Sequence, residues 1–441
     1  MARTARRPRR KTQITRLLVV ALPVGALVSA CASVGPPPGG APDTAPPTIV
    51  SVRPESGAVL SGWKDEISIQ FNEVVDEMAT GGGAGGGLER QVLLSPVRGT
   101  VKVGWHRDRV SVKPREGWKR RVYRLEILPG FLDLRRNRLD TAKTVLFSTG
   151  PGIGNARIGG LALQWIEQRY LARALIEAVP LPDSVGYLTL ADSGGQFNLQ
   201  NLSRGRYIVY ASVDDNGDRR RGPREAYDSV LVRLDSSSNI ALYTFPHDTV
   251  PPRLRSATYV DSITIRIELT QALDPAVKLD STRVRVLELP DSTAVTVAQV
   301  FAARQFDSVT AAERARADSL RQQQDTTAPA DTAQARAGRP VRPQIHPTVP
   351  PAAPPQPPPP AGAAREAPKG PPVDTALVRR LLAMRPVPSD KHVVRMARAL
   401  KPDTRYVVRV IDATNLIGRK GSGEVGFTVP KATPADTTGR R

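Results

Sequence analysis

Apolar and polar residues alternate at period two in short runs along most of this chain, and Gly, Pro and Asp separate the runs. Thr48-Ile49-Val50-Ser51-Val52 leads into a turn at Pro54-Glu55-Ser56-Gly57, after which Ile67-Ser68-Ile69-Gln70-Phe71 alternates strictly. Gln91–Leu94, Thr100–Trp105, Arg109–Lys113, Val122–Leu128 and Thr144–Ser148 follow in the same style. Successive side chains of a strand point to opposite faces, so such runs predict strands buried on one side. The set spans 48–150 and predicts a β-sandwich, with Gly81–Gly87 as a flexible loop inside it. A second set, Arg157–Leu163, Leu171–Ala178, Tyr187–Ala191, Gln196–Leu199, Arg206–Val213 and Asp228–Arg233, predicts another sandwich at 153–245.

The third segment, 248–430, repeats the first. Asp43-Thr44-Ala45-Pro46-Pro47 returns as Asp248-Thr249-Val250-Pro251-Pro252, and Ile67-Ser68-Ile69-Gln70-Phe71 returns as Ile263-Thr264-Ile265-Arg266-Ile267. Tyr123-Arg124-Leu125-Glu126-Ile127 is answered by Tyr406-Val407-Val408-Arg409-Val410, and Val145–Thr149 by Val425–Val429. The second copy is longer because 310–386 is rich in Pro, Ala, Gln, Arg and Asp, with near-continuous proline at Pro354–Pro360. Such sequence buries too little apolar area to offset its ordering entropy. Disorder or partial polyproline II is expected there, around two short helices near Ala311–Gln323 and Thr375–Met384. Residues 431–441 are expected to be a disordered tail. The fold class is therefore all-β, in tandem sandwiches, with a long disordered insertion in the last.

The first thirty residues follow a different pattern. Arg3, Arg6, Arg7, Arg9, Arg10, Lys11 and Arg16 precede an apolar run, Leu17–Val28, which ends in Val28-Ser29-Ala30-Cys31. A basic start, a short apolar stretch and small residues before a processing point describe a signal peptide over 1–30. The apolar run is shorter than the roughly 20 residues needed to span a bilayer. Cys31 is the single cysteine of the chain, so no disulfide staples the fold. Val28–Cys31 resembles a bacterial lipobox. The resemblance implies a thioether to diacylglycerol on Cys31, cleavage just before it and acylation of the new amino terminus. More than one acyl chain gives stable anchoring where one does not. Residues 31–47 are Gly/Pro-rich and predict a flexible tether. Ala32 stands where Asp would signal inner-membrane retention, so the resemblance implies the outer membrane, facing the periplasm or the cell surface.

Asp43–Pro47, Pro54–Gly57 and Ile67–Glu73 together resemble the opening of the SbsA-type bacterial Ig-like domain. The third segment keeps that lead but replaces Phe-Asn-Glu with Ile267-Glu268-Leu269, as a degenerate copy. Gly195-Gln196-Phe197-Asn198-Leu199-Gln200-Asn201-Leu202-Ser203-Arg204-Gly205-Arg206-Tyr207 resembles the transthyretin-like module, also known as a carboxypeptidase regulatory-like domain. These resemblances imply folds and a location without defining a ligand.

The formal net charge is +21, mostly arginine scattered among aspartate, and it is densest at Lys119-Arg120-Arg121 and Arg219-Arg220-Arg221. For an exported protein this fits anionic headgroups or acidic glycans, and nucleic acid is not an expected partner. Asp214, Asn216, Asp218 and Glu225 take the spacing of positions 1, 3, 5 and 12 of a calcium loop. Arg219, however, stands where that loop needs Gly, and Arg220, Arg221 and Arg224 crowd it. The competing reading is an Asx-rich turn whose acids neutralise these arginines. No catalytic residues are assigned. His106, His247, His346 and His392 have no metal-ligand spacing, there is no nucleophile elbow, and Gly81–Gly87 lacks the Lys-Ser/Thr of a phosphate loop. Trp63, Trp105, Trp118 and Trp165 would either form a glycan platform or fill and cap the sandwiches. The expected role is structural, adhesive or binding, toward an envelope protein or glycan. The alternative is a non-catalytic accessory subunit of an envelope hydrolase or a glycan-binding module.

Overall fold

A computed structural model describes residues 42–78, 87–326 and 374–431. Residues 1–30, Cys31, the glycine run at 79–86, the centre of the insertion at 327–373 and the tail at 432–441 lie outside the described residues. The chain divides into two units, Met1–Pro46 and Pro47–Arg441. All strands and helices described below belong to the second.

The first sandwich consists of β1 (Ile49–Arg53), β2 (Ile67–Phe71), β3 (Val92–Ser95), β4 (Val101–His106), β5 (Arg109–Pro114), β6 (Val122–Ile127) and β7 (Lys143–Ser148). One sheet runs β1-β2-β5-β4 and the other β3-β6-β7. Ile67, Ile69 and Phe71 are buried while Ser68 and Gln70 are not, which is the predicted alternation. The strand β6 is buried on both faces. Its Arg124 and Glu126, side by side on one face, neutralise each other at 2.7 Å.

The middle sandwich contains β8 (Ala156–Gln164), β9 (Arg169–Tyr170), β10 (Leu175–Pro180), β11 (Tyr187–Leu190), β12 (Gln196–Leu202), β13 (Gly205–Ser212), β14 (Tyr227–Leu234) and β15 (Ser237–Thr244). Its sheets run β11-β10-β13-β14 and β12-β8-β15, with β9 paired to β8. The first long strand and the last, β8 and β15, pair in parallel from Arg157↔Ser237 to Gln164↔Thr244. The period-two pattern did not predict β15, because Ser237-Ser238-Asn239 has the composition of a turn.

The third sandwich contains β16 (Leu254–Asp261), β17 (Thr264–Leu273), β18 (Val284–Glu288), β19 (Thr293–Val295) and β20 (Val297–Ala302). Helices α1 (Ala303–Thr326) and α2 (Thr375–Ala383) follow, and then β21 (Ser389–Met396), β22 (Arg405–Thr414) and β23 (Lys420–Thr428). Sheet orders β16-β17-β21-β20 and β19-β18-β22-β23 reproduce those of the first sandwich, with β19 as an addition. By this correspondence β20 and β21 are the counterparts of β4 and β5. In the first sandwich those two strands are joined by a tight turn at Arg107-Asp108, with Arg107 at φ 64°. In the third, the insertion and both helices occupy the position of that turn. The insertion accordingly begins in structured form, with α1 starting at Ala303 and running for 24 residues.

Each sandwich fixes a corner with one tyrosine, and Tyr123, Tyr207 and Tyr406 are the largest fully buried side chains described. The Tyr123 hydroxyl donates to the Lys119 carbonyl and accepts from the Lys119 N–H at 2.7 Å. Tyr207 donates to the Ser203 carbonyl at 2.8 Å, and Tyr406 accepts from the Lys401 N–H at 2.9 Å. A buried phenol reaching back to upstream backbone is the tyrosine corner of Ig-type sandwiches.

The returning end of the insertion docks on the middle sandwich. Asp374 caps α2 by accepting from the Leu377 N–H. Val378, Leu381 and Leu382 share one helix face and pack against Leu161, Leu163, Tyr243 and Trp165. The Tyr243 hydroxyl donates to the Leu381 carbonyl at 2.8 Å and the Trp165 indole to the Pro386 carbonyl at 3.1 Å. Arg385 lies over the Tyr243 ring at 4.2 Å. This clamp ties the third sandwich to the second.

Candidate binding cleft between the first two sandwiches

The four residues with calcium-loop spacing lie in the connection from β13 to β14. Gly217 at φ 70° and Arg219 at φ 61° turn it back on itself. The Asp214 side chain is only 4% exposed; its Oδ2 accepts from the Arg219 N–H at 3.2 Å and faces the Arg219 guanidinium at 3.7 Å. Asn216 Oδ1 accepts from the Asp218 N–H, and the Asp218 carboxylate accepts from the Arg220 N–H and from the Asn216 amide. Glu225 accepts from the Gly222 N–H at 2.6 Å. The arrangement is a chain of Asx-type turns braced by an arginine at the position where a calcium loop has glycine. Burial pushes the Arg219 pKa down, and Asp214 opposes that shift. With a guanidinium already against Asp214, titration with millimolar Ca²⁺ should release no heat and leave the melting temperature unchanged. A rise in melting temperature would instead restore the four-residue ligand set.

This loop reaches the first sandwich, where the Arg219 guanidinium donates to the Arg90 carbonyl at 3.4 Å. Three further bridges brace the same junction. Arg98 donates to the Ser184 hydroxyl at 2.6 Å, the Leu188 N–H donates to the Ser95 hydroxyl at 2.9 Å, and Arg121 pairs with Asp183 at 3.6 Å. Between them lies a cavity of about 490 Å³ with an apolar floor that includes Val92, Leu94 and Leu188. Charged groups of both signs rim it: Glu89, Arg98, Glu177, Asp218, Arg220 and Arg221. Burial pushes the Glu177 carboxyl up, against the pull of Arg221. Arg221 also covers the Tyr210 ring at 3.9 Å. An apolar floor with a few fixed polar groups suits a small polar ligand or a protruding side chain.

The remaining candidates have local structural roles. His106 is exposed at the end of β4, and His247 stacks on Tyr227 at 3.7 Å with its pKa lowered by burial. His346 lies outside the described residues. The four tryptophans do not form a shared platform. Trp63 and Trp118 close one end of the first sandwich against Phe147, Trp105 donates to the Val75 carbonyl at 2.9 Å, and Trp165 belongs to the clamp. The pattern along the chain gave no sign of the clamp partners. Only the helix itself was read from the sequence, near Thr375–Met384, and it forms at Thr375–Ala383.

Residues 43–149 match the bacterial Ig-like domain family. No curated protein matches the chain. Among solved structures, the N-terminal part of the bacterial S-layer protein SbsC matches at 10% identity with a TM-score of 0.21. That match covers 42% of this chain and 25% of SbsC, so this chain spans a quarter of the SbsC structure. A variant of the major pilin subunit of Bacillus cereus matches at 10% identity and TM-score 0.17, covering 45% of this chain and 70% of the pilin. A DUF3823 family protein from Parabacteroides merdae matches at 14% identity and TM-score 0.17, covering 31% and 66%. The chain is a tandem β-sandwich protein, and the stretch that matches the bacterial Ig-like domain family holds its first sandwich.

Proposed function

We propose that this is a lipid-anchored envelope protein whose sandwiches serve a structural or binding role without catalysis of their own. The observation that carries the reading is the bacterial Ig-like match, which begins at residue 43, shortly after the lipobox-like Val28–Cys31. In this reading Cys31 carries the lipid, 31–47 is the tether, and the outer membrane is the site of anchoring. The middle sandwich is then a transthyretin-like module. In support, Phe197 and Leu199 are buried, Gly195 and Gly205 hold positive φ, and Tyr207 opens the inward face of the next strand. The braced cleft at the first junction is the surface offered to an envelope protein or glycan.

Labelled palmitate tests the anchor. Label should enter the wild-type chain and be lost from Cys31→Ser, with the wild type fractionating with outer membranes. Equal labelling of both would sink the anchoring claim.

A further inference from the structure

Duplication makes the two Ig-like copies comparable residue by residue, and they differ most at one end. In the first copy Ile69 pairs with Val110, which pairs with Trp105. In the third, the pairs Leu254↔Leu269 and Ala257↔Ile267 match Ile49↔Phe71 and Val52↔Ile69, so Ile267 stands for Ile69; it pairs with His392, which pairs with Ala302. Ala302 therefore holds the ladder position of Trp105, and His392 that of Val110. In the first copy that indole packs against the core, and its N–H is satisfied by the Val75 carbonyl. Trp105 plugs that end of the sandwich.

The third copy has no such plug. Its β20–β21 ladder ends at Ala302↔His392, the level of Trp105↔Val110, with a methyl group where the first copy has the indole. A cavity of about 710 Å³ lies there. Leu273, Leu279, Val300 and Ala302 are among its lining residues, Arg304 and Pro386 at the roots of the insertion add to its wall, and His392 lines it as well. His392 is 7% exposed, and its Nδ1 has no hydrogen-bond partner. Burial pushes its pKa down to about 4, so the ring is neutral at pH 7. A neutral imidazole has one donor and one acceptor nitrogen, and an unmade hydrogen bond in a buried site costs about 1–3 kcal/mol.

We propose that the open end of the third sandwich binds a planar aromatic group bearing an N–H or O–H, seated where the first copy places its own Trp105 and bonded to His392. The aromatic group comes either from a free small molecule or from an aromatic side chain of a partner protein. The chemistry is the same, and the cavity is large enough for the first.

The test uses the full chain labelled with ¹⁵N-histidine, titrated separately with indole and with the peptide Gly-Gly-Trp-Gly-Gly. Saturable shifts of the His392 ring nitrogens by indole alone identify a free aromatic ligand, and shifts by the peptide identify a side chain. Ala302→Trp supplies the missing plug and should abolish the shift while the protein melts cooperatively. His392→Leu should weaken indole binding about tenfold, followed by its displacement of the chain's thermal transition, and decides the matter if Ala302→Trp fails to fold. No His392 shift from either probe at millimolar concentration, or unchanged binding in the folded variants, overturns the proposal.

Discussion

Alanine at Tyr123, Tyr207 or Tyr406 should each cost about 3–5 kcal/mol, the range for deleting a large buried aromatic. Each phenol is fully buried and also holds a backbone corner. Phenylalanine at the same positions keeps the packing and removes only the hydroxyl, so its cost should fall to about 1–2 kcal/mol. Urea unfolding of the full chain, followed by circular dichroism, reads both series. A pH dependence follows for Tyr207. Burial, aided by Tyr187, pushes its pKa up to about 12 against the Ser203 hydrogen bond, while the unfolded phenol titrates near its ordinary value of 10. The unfolded chain therefore loses its proton first. The stabilisation is present in full below about pH 10 and is lost as pH rises toward 12. Tyr207→Phe should flatten the alkaline fall in stability over that window. Alanine variants as stable as the wild type would mean that the corners do not hold the sandwiches.

Leu382→Asp should release the clamp. Leu382 is 7% exposed among Leu161, Leu163 and Tyr243, so a carboxylate there is buried against apolar side chains, and the nearby Arg385 is stacked on the Tyr243 ring. The cost exceeds the roughly 2–5 kcal/mol of a simple Leu→Ala truncation, because a charge would be buried as well. A nine-residue helix is unstable on its own in water, so α2 should leave the surface rather than absorb the change. Trypsin should then cut after Arg379 and Arg380 faster than in the wild type. Tryptophan emission should shift to the red as Trp165 loses the Pro386 carbonyl, and that shift should vanish in a Trp165→Phe background. Unchanged cleavage and emission would show that the clamp does not depend on Leu382.

The strands that declared themselves in the sequence were those with one buried face, such as Ile67–Phe71 and Gln196–Leu202. Those it concealed have other reasons to exist. The start of β15 is polar because its first residues, Ser237-Ser238-Asn239, lie toward the exposed edge of the sheet. The strand β21 was hidden because its partners, β17 and β20, lie on the far side of the insertion. The acidic loop was legible as a turn, since Asp and Asn at alternate positions satisfy nearby N–H groups whatever the tertiary context. Its use as a brace to Arg90 was not, because a contact across 129 residues leaves no local mark. His392 read as one polar residue beside Val393 and Val394. Only the register of β20 against β21 reveals that it faces an end its counterpart keeps closed.

The parallel pairing of β8 with β15 has a mechanical consequence. The two strands are the entry and exit of the middle sandwich, and they run side by side in the same direction over eight residue pairs. Tension applied through the flanking sandwiches pulls β8 toward its start and β15 toward its end. The hydrogen bonds between them lie across that direction, so they are loaded together in shear instead of opening one at a time like a zip. A chain anchored at one end and gripped at the other would therefore carry load through its middle sandwich without unravelling it.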